Sequence, residues 1–394
     1  MVTVDSRRGR TVLTLAHVAG MIDMVALPLW IGTLMQHYGY TAPQAGITVT
    51  AFLAAVAATS LLLARRFTNL PRWAQAPSGF ALGLLAFALV MFQPVGAEGH
   101  QLVMTLHVLA GVGVGMALSI THGQIGRSEN PHRLFAIVNI ALGMFAIIFL
   151  AGVPQLIATF GAKALFFVIA LIMGVATAVT WMGYPREQTP LKMSMVTPVP
   201  MHRAAYLLIG TVVCLCLNQA MVFSFVERIG VGRGFGVGPV NGVLIATGLV
   251  NLIPGALAAL LQKHLSALSV GIVGPLVQAV LAVVLSSSPT FLPYAVASGM
   301  YVAVVIFTHV FVFGLLSQLD PSGRTVAATP AMMMLGSCTG PAIGGLMVNI
   351  LGFEGIGWVA SATSVLAITF MLTARTQLRQ PNDITVGHIG RVAP

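Results

Sequence analysis

Long apolar runs alternate with short polar breaks along almost the whole chain. Cutting at the breaks gives runs at 11–35, 41–64, 74–93, 101–123, 133–158 and 162–184, then 204–227, 238–261, 267–287, 291–317, 324–351 and 354–375. About 20 apolar residues wound as a helix cross the hydrocarbon layer of a bilayer, so the pattern predicts twelve spans and an all-α membrane protein. A transmembrane β-barrel would need strands of about 10 residues alternating polar and apolar positions, and that period does not occur. Only one break is long. Residues 185–203 carry Pro185, Pro190, Pro198 and Pro200 with Arg186, Glu187 and Lys192, and they separate a six-span unit, 1–184, from a second unit, 204–394, with a short tail.

The two units echo each other. Shifting the chain by 191 positions sets Arg133 on Arg324, Ala136 on Ala327, Gly161 on Gly352 and Phe167 on Trp358. A duplicated unit of this kind is the sequence trace of transporters whose halves rock about a central site.

Composition narrows the class further. Hydrophobic residues make up 57% and charged residues 7%, against about 25% charged in an ordinary soluble domain. Glycine (42) and proline (21) are abundant, and many of them fall inside apolar runs, which suits close-packed or kinked membrane helices. The formal net charge of +10 does not indicate nucleic acid, because Lys and Arg are spread among the breaks rather than gathered on one surface. Anionic lipid is the partner that this charge fits. Cys214, Cys216 and Cys338 all lie in apolar runs, so neither a disulfide framework nor a zinc site is expected.

Charge also predicts orientation, since Lys and Arg accumulate in cytoplasmic loops. With the N-terminus inside, sixteen of the nineteen Lys and Arg residues fall on the cytoplasmic side, and only Lys163, Arg228 and Arg233 on the other. Both termini are therefore expected in the cytoplasm, in the cytoplasmic (inner) membrane. The run from Thr11 to Met35 follows Arg7, Arg8 and Arg10 and is too long for a signal peptide's apolar region, so it reads as a retained first span.

Within the spans, polar residues are few, and each invites a chemical reading beside a structural one. Asp23 lies at the midpoint of the first run. A charge at that depth costs about 2.5–3.5 kcal/mol on insertion scales, so such residues usually face a cavity and mark ion or proton pathways. The alternative is a protonated carboxyl bonded to a neighbouring helix. His107 lies inside the fourth run, ahead of Gly111, Gly113 and Gly115. It can exchange a proton near neutral pH and could pair with Asp23, or it can simply bond a carbonyl. His17, His122 and His309 are further histidines in the runs; six residues turn His17 and Asp23 to different helix faces.

Asn218 and Gln219 interrupt the seventh run, with Met221, Phe223 and Phe225 after them, and their amides need partners in a bound solute, water or a second helix. Asn139, Gln278 and Asn251 are weaker candidates of the same kind, and Trp30 shares a face with Asp23 seven residues earlier. The stretch Gly232 to Gly238 lacks the preceding strand and the lysine of a phosphate loop and reads as a flexible connection. No hydrolase, kinase, metalloprotease or nucleotide-binding pattern is present, so neither enzymatic activity nor a cofactor or metal is expected.

Several motifs resemble those of the major facilitator superfamily. The eleventh run contains Gly336-x-x-x-Gly340-Pro341-x-x-Gly344-Gly345, similar to the family's G-x-x-x-G-P-x-x-G-G, which in proton antiporters usually marks helix five. Helix five here has only Gly143 and Gly152-Val153-Pro154. His107-Val108-Leu109-Ala110-Gly111-Val112-Gly113 is similar to the helix-four motif R-x-x-x-G-x-G, with histidine in place of arginine. Leu63-Ala64-Arg65-Arg66-Phe67 and Arg72 resemble the gate between helices two and three, with Arg65 where aspartate is usual.

The resemblance implies two pseudo-symmetric six-helix bundles around one cavity lined by helices one, four, seven and ten. It also implies gating roles for Arg65, Arg66, Arg72, Arg133, Arg324, Gly336, Gly340, Pro341, Gly344 and Gly345. Proton coupling would fall to Asp23 and His107, and substrate contact to Trp30, Asn139, Asn218, Gln219, Phe223, Gln278 and His309, gathered near one place. The expected function is a monomeric, proton-coupled secondary transporter of a small neutral or cationic amphipathic solute, working by alternating access and exporting it as an antiporter. Proton-linked uptake of a metabolite is the alternative, ahead of a membrane enzyme or a solute receptor without flux.

Overall fold

The computed structural model describes residues 2–66, 72–94, 96–161, 163–185, 202–319 and 329–379. Arg324 and the linker residues 186–201 lie outside these, and of Arg65, Arg66 and Arg72 only the backbone is described.

Fifteen α-helices are described: α1 Arg7–Gly20, α2 Asp23–Gln36, α3 Ala42–Arg66, α4 Arg72–Val90, α5 His100–Ile125, α6 Pro131–Phe160, α7 Lys163–Gly183, α8 Arg203–Gly232, α9 Val237–Val250, α10 Pro254–Leu261, α11 Ala267–Ser287, α12 Phe291–Leu319, α13 Thr329–Ser337, α14 Gly340–Leu351 and α15 Glu354–Arg379. Eleven helical stretches are long and apolar enough to cross a membrane, and Ala74–Val90 is a shorter apolar one. Together these match the twelve spans expected.

Fifteen helices serve twelve spans because three spans are broken. Pro254 begins α10, where it supplies no backbone N–H to continue α9, and Pro341 opens α14 in the same way. The first span breaks between Gly20 and Asp23 with no proline, through tight bonds from Met24 N to Met21 O (3.1 Å) and Val25 N to Ile22 O (3.2 Å). Between α8 and α9, Gly234 (φ 80°) and Gly236 (φ 83°) hold left-handed backbone, so the glycine-rich stretch is a defined turn.

The bundles meet unevenly. At the end where α3 begins and α14 finishes, one continuous hydrophobic core joins residues of both halves, among them Trp30, Val49, Met221, Phe225 and Tyr294. At the opposite, arginine-rich end the core divides. Val12, Leu13, Ile125, Leu134 and Val138 pack within the first half, while Ala205, Leu208, Val212, Leu316 and Met371 pack within the second. The half-helix α1 packs on α5, α6 and α7 of its own bundle, and α10 packs on α12 of its own. The molecule is thus closed between the halves at one end and parted at the other.

Candidate functional site

The eleventh-span motif forms the closed seam, and its spacing explains how. Gly336, Gly340 and Gly344 recur every four residues, and each presses a bare backbone onto α8. A Cβ on them would lie 2.8 Å from Cys216 Cβ, 2.6 Å from Met221 N and 2.8 Å from Phe225 Cε2 respectively. Gly345 faces the other half, where a Cβ would come within 2.8 Å of the Ala42 carbonyl carbon on α3. In return Gly46 of α3 lies against Pro341, and Ala342 N donates to Thr50 Oγ1 across the interface at 3.1 Å. One glycine set therefore holds α13 and α14 to α8, and the other joins the two halves.

The fourth-span motif works similarly inside the first half. Gly111 and Gly115 bring α5 onto α3 at Phe52, Ala55 and Val56, while Gly113 meets Gly79 of α4. His107, two turns from Gly115 and fully buried, is bonded at both ring nitrogens. Nε2 accepts from Trp30 Nε1 at 3.0 Å, and Nδ1 lies 2.7 Å from Val103 O. An indole N–H only donates and a carbonyl only accepts, so this arrangement fixes the neutral Nδ1–H tautomer. Trp30 in turn packs against Phe52, Phe87 and Phe166 at ring-centroid distances of 5.1, 5.4 and 6.4 Å. The expected pairing of His107 with Asp23 is not formed, because Trp30 occupies the imidazole.

Asp23 lies at the first-span break, as the first residue of α2, and is 2% exposed. Its carboxyl lies against the backbone N–H groups of Asp23 itself and of Met24, which a helix N-terminus leaves without helical partners. Oδ1 finds no hydrogen-bond partner among the described residues. A half-helix N-terminus with a carboxyl on it at mid-membrane is the kind of discontinuity that carries ions in transporters.

The remaining candidates divide into a group around one turn of α8 and residues placed elsewhere. Asn218 donates to Ala360 O (3.0 Å) and Ser364 Oγ (3.1 Å) of α15, and Gln278 donates to Leu215 O (3.2 Å), so both tie helices within the second half. His309 stacks on Phe313 and lies 3.5 Å from Cys216 Sγ. Asn139 is exposed and bonds its own helix at Phe135 O (2.8 Å), while His17 pairs with His122 at 3.0 Å. Gln278, His309 and Asn218 thus meet within one turn of α8, at Leu215, Cys216 and Asn218, whereas Asn139 and the His17–His122 pair lie elsewhere, each bonded within its own bundle. Arg133 is exposed at the arginine-rich end beside Asp5, Arg10 and Glu129, where Asp5 accepts from Glu129 N at 3.2 Å and lies 3.6 Å from Arg10.

One buried acid escaped the sequence reading. Glu227 is 7% exposed, well inside α8, and a Cβ on Gly32 of α2 would lie 3.2 Å from its Cδ. The seventh run reads as ending at Glu227 because Glu227 and Arg228 are charged, yet the next helix breakers are Gly232 and Gly234. Carrying the helix to those glycines would have placed Glu227 on one face with Gln219 and Phe223, four residues apart each. Gln219 is half-buried, and Phe223 belongs to the shared core.

The comparisons with known proteins agree with this architecture. The Major Facilitator Superfamily model matches residues 12–319. The structure is similar to that of a D-xylose-proton symporter, with a TM-score of 0.74 at 16% identity over 92% of this chain and 96% of that one. It is also similar to the nucleoside transporter NupG, with a TM-score of 0.70 at 10% identity over 94% of this chain and 100% of that one. The xylose transporter XylE from E. coli, in a partially occluded inward open conformation, gives a TM-score of 0.69 at 12% identity over 92% of this chain and 96% of that one. A search of curated proteins gives no match. A family model covering more than three quarters of the chain, twelve apolar spans and two bundles that part at one end lead to one conclusion: this chain belongs to the major facilitator superfamily and is a membrane transporter of a small solute, not an enzyme.

Proposed function

We propose that the protein is a proton-coupled secondary transporter that moves a small neutral or cationic amphipathic solute by alternating access, in the direction of export. The observation that carries this reading is Asp23: a carboxyl 2% exposed at the break of the first span, with one oxygen unpartnered. Proton binding there neutralises a charge that is otherwise expensive to hold in the membrane, so protonation and the arrangement of α1 against α2 are linked. Neutral or cationic solutes fit because Asp23 and Glu227, buried acids of the first and seventh spans, could balance a cation. Gln219 and Phe223, on the α8 face that meets α2, are the candidate solute contacts.

His107 acts here as a positioning residue: it fixes Trp30, and through it α2, rather than carrying the proton. This departs from the coupling role that its motif suggested, because neither ring nitrogen is free. The distribution of Lys and Arg supports both termini in the cytoplasm, which puts the parted end inside and the closed seam outside. Proton-linked uptake is the second reading, favoured by the name of one structural relative, a D-xylose-proton symporter.

The test is accumulation in proteoliposomes under an imposed pH gradient over a panel of neutral and cationic solutes. Wild type is expected to concentrate at least one solute, His107→Ala to retain some accumulation, and Asp23→Asn to permit only downhill movement. Accumulation by Asp23→Asn would remove Asp23 from the coupling step.

A further inference from the structure

A second carboxyl lies between the halves. Glu227 of α8 packs against Gly32 of α2 at the closed end, 7% exposed, with Oε2 unpartnered. Arg228 attracts its charge, but none of its neighbours among the described residues bonds that oxygen. Arg228, the next residue, interacts with it electrostatically but forms no ion pair, and its own Nε and Nη1 are buried without partners. Tyr294 of α12 is the other titratable group facing it, and the Tyr294 hydroxyl donates instead to Val226 O at 2.7 Å. From α2 the facing residue is a glycine, which offers no side-chain donor.

We infer that Glu227 is a gate carboxyl: it closes against Gly32 when it holds a proton and releases α2 from α8 when it loses it. The physical reason is desolvation. With the halves together, a charged Glu227 would be buried with one oxygen unbonded, whereas with the halves apart water reaches it. Gly32 belongs to the closed contact because its missing side chain leaves the space on α2 that the Glu227 carboxyl fills. The inference rests on the transporter reading, but it assigns the gate to a residue other than Asp23.

The experiment uses the full chain in proteoliposomes with Cys214, Cys216 and Cys338 replaced and spin labels on Gln101→Cys and Thr290→Cys, exposed positions at the closed end of opposite halves. Inter-label distances are recorded as a function of pH by pulsed electron paramagnetic resonance. With native Glu227 the long-distance population is expected to grow as pH rises. Glu227→Gln, which mimics the protonated form, is expected to keep the short distance at every pH. Asp23→Asn is expected to keep the pH-dependent change. A pH response in Glu227→Gln equal to that with native Glu227 overturns the gate. Loss of the response in Asp23→Asn with its retention in Glu227→Gln transfers the device to Asp23 and overturns it equally. Solute accumulation by Asp23→Asn in the flux assay would sink the coupling role of Asp23 while leaving this result standing.

Discussion

His107 shows how an ionisable residue can be held silent inside a membrane bundle. Its Nε2 accepts from Trp30 and its Nδ1 lies against Val103 O, in a cluster with Phe87 and Phe166. Replacing Trp30 by phenylalanine leaves that Nε2 buried without a donor, a change worth about 1–3 kcal/mol. Trp30→Phe is therefore expected to lower the thermal unfolding temperature in detergent, and an unchanged temperature would show the bond to be of no consequence. Asp23 is held differently. Its carboxyl has backbone donors on one side only and no side-chain partner for Oδ1, so it keeps the capacity to gain and lose a proton that His107 lacks.

At the scale of elements, the same residue type does different work according to the face it occupies. Gly340 and Gly345 belong to one motif, yet the first presses on α8 within its bundle and the second on α3 across the interface. Gly340→Leu is expected to overpack the second bundle and destabilise it by about 1–3 kcal/mol, read as a lower unfolding temperature. Gly345→Leu is expected to spare that temperature and block transport, because it keeps the halves from closing. Equal effects of the two substitutions on stability would refute this division of labour.

The helices themselves were legible in the sequence, because bilayer thickness dictates run length and little else competes with it. The breaks at Pro254 and Pro341 have a proline signal, whereas the break at Asp23 has none and emerges only with the packing of α1 on α5, α6 and α7. Asn218, Gln278 and His309 were legible as polar residues but not as ties between helices of the second half, since a side chain's partner depends on which neighbouring polar group it can reach. Glu227 is hidden for the opposite reason: its charge reads as the end of a helix that continues to Gly232.

At the scale of the whole molecule, one shared core at one end and two separate cores at the other define a state of the transport cycle. Thr50 and Ala342, in contact across the seam, offer a direct handle on it. A disulfide between Thr50→Cys and Ala342→Cys is expected to stop transport and reduction to restore it; full activity in the cross-linked protein would mean that this seam never opens. Proton coupling through Asp23 is tested most directly by proton movement evoked by solute in de-energised proteoliposomes that contain a pH-sensitive dye. Wild type is expected to move protons opposite to the solute, or with it if the protein works as a symporter, while Asp23→Asn moves solute downhill with no proton displacement. The same proton displacement per solute in both proteins would contradict proton coupling at Asp23.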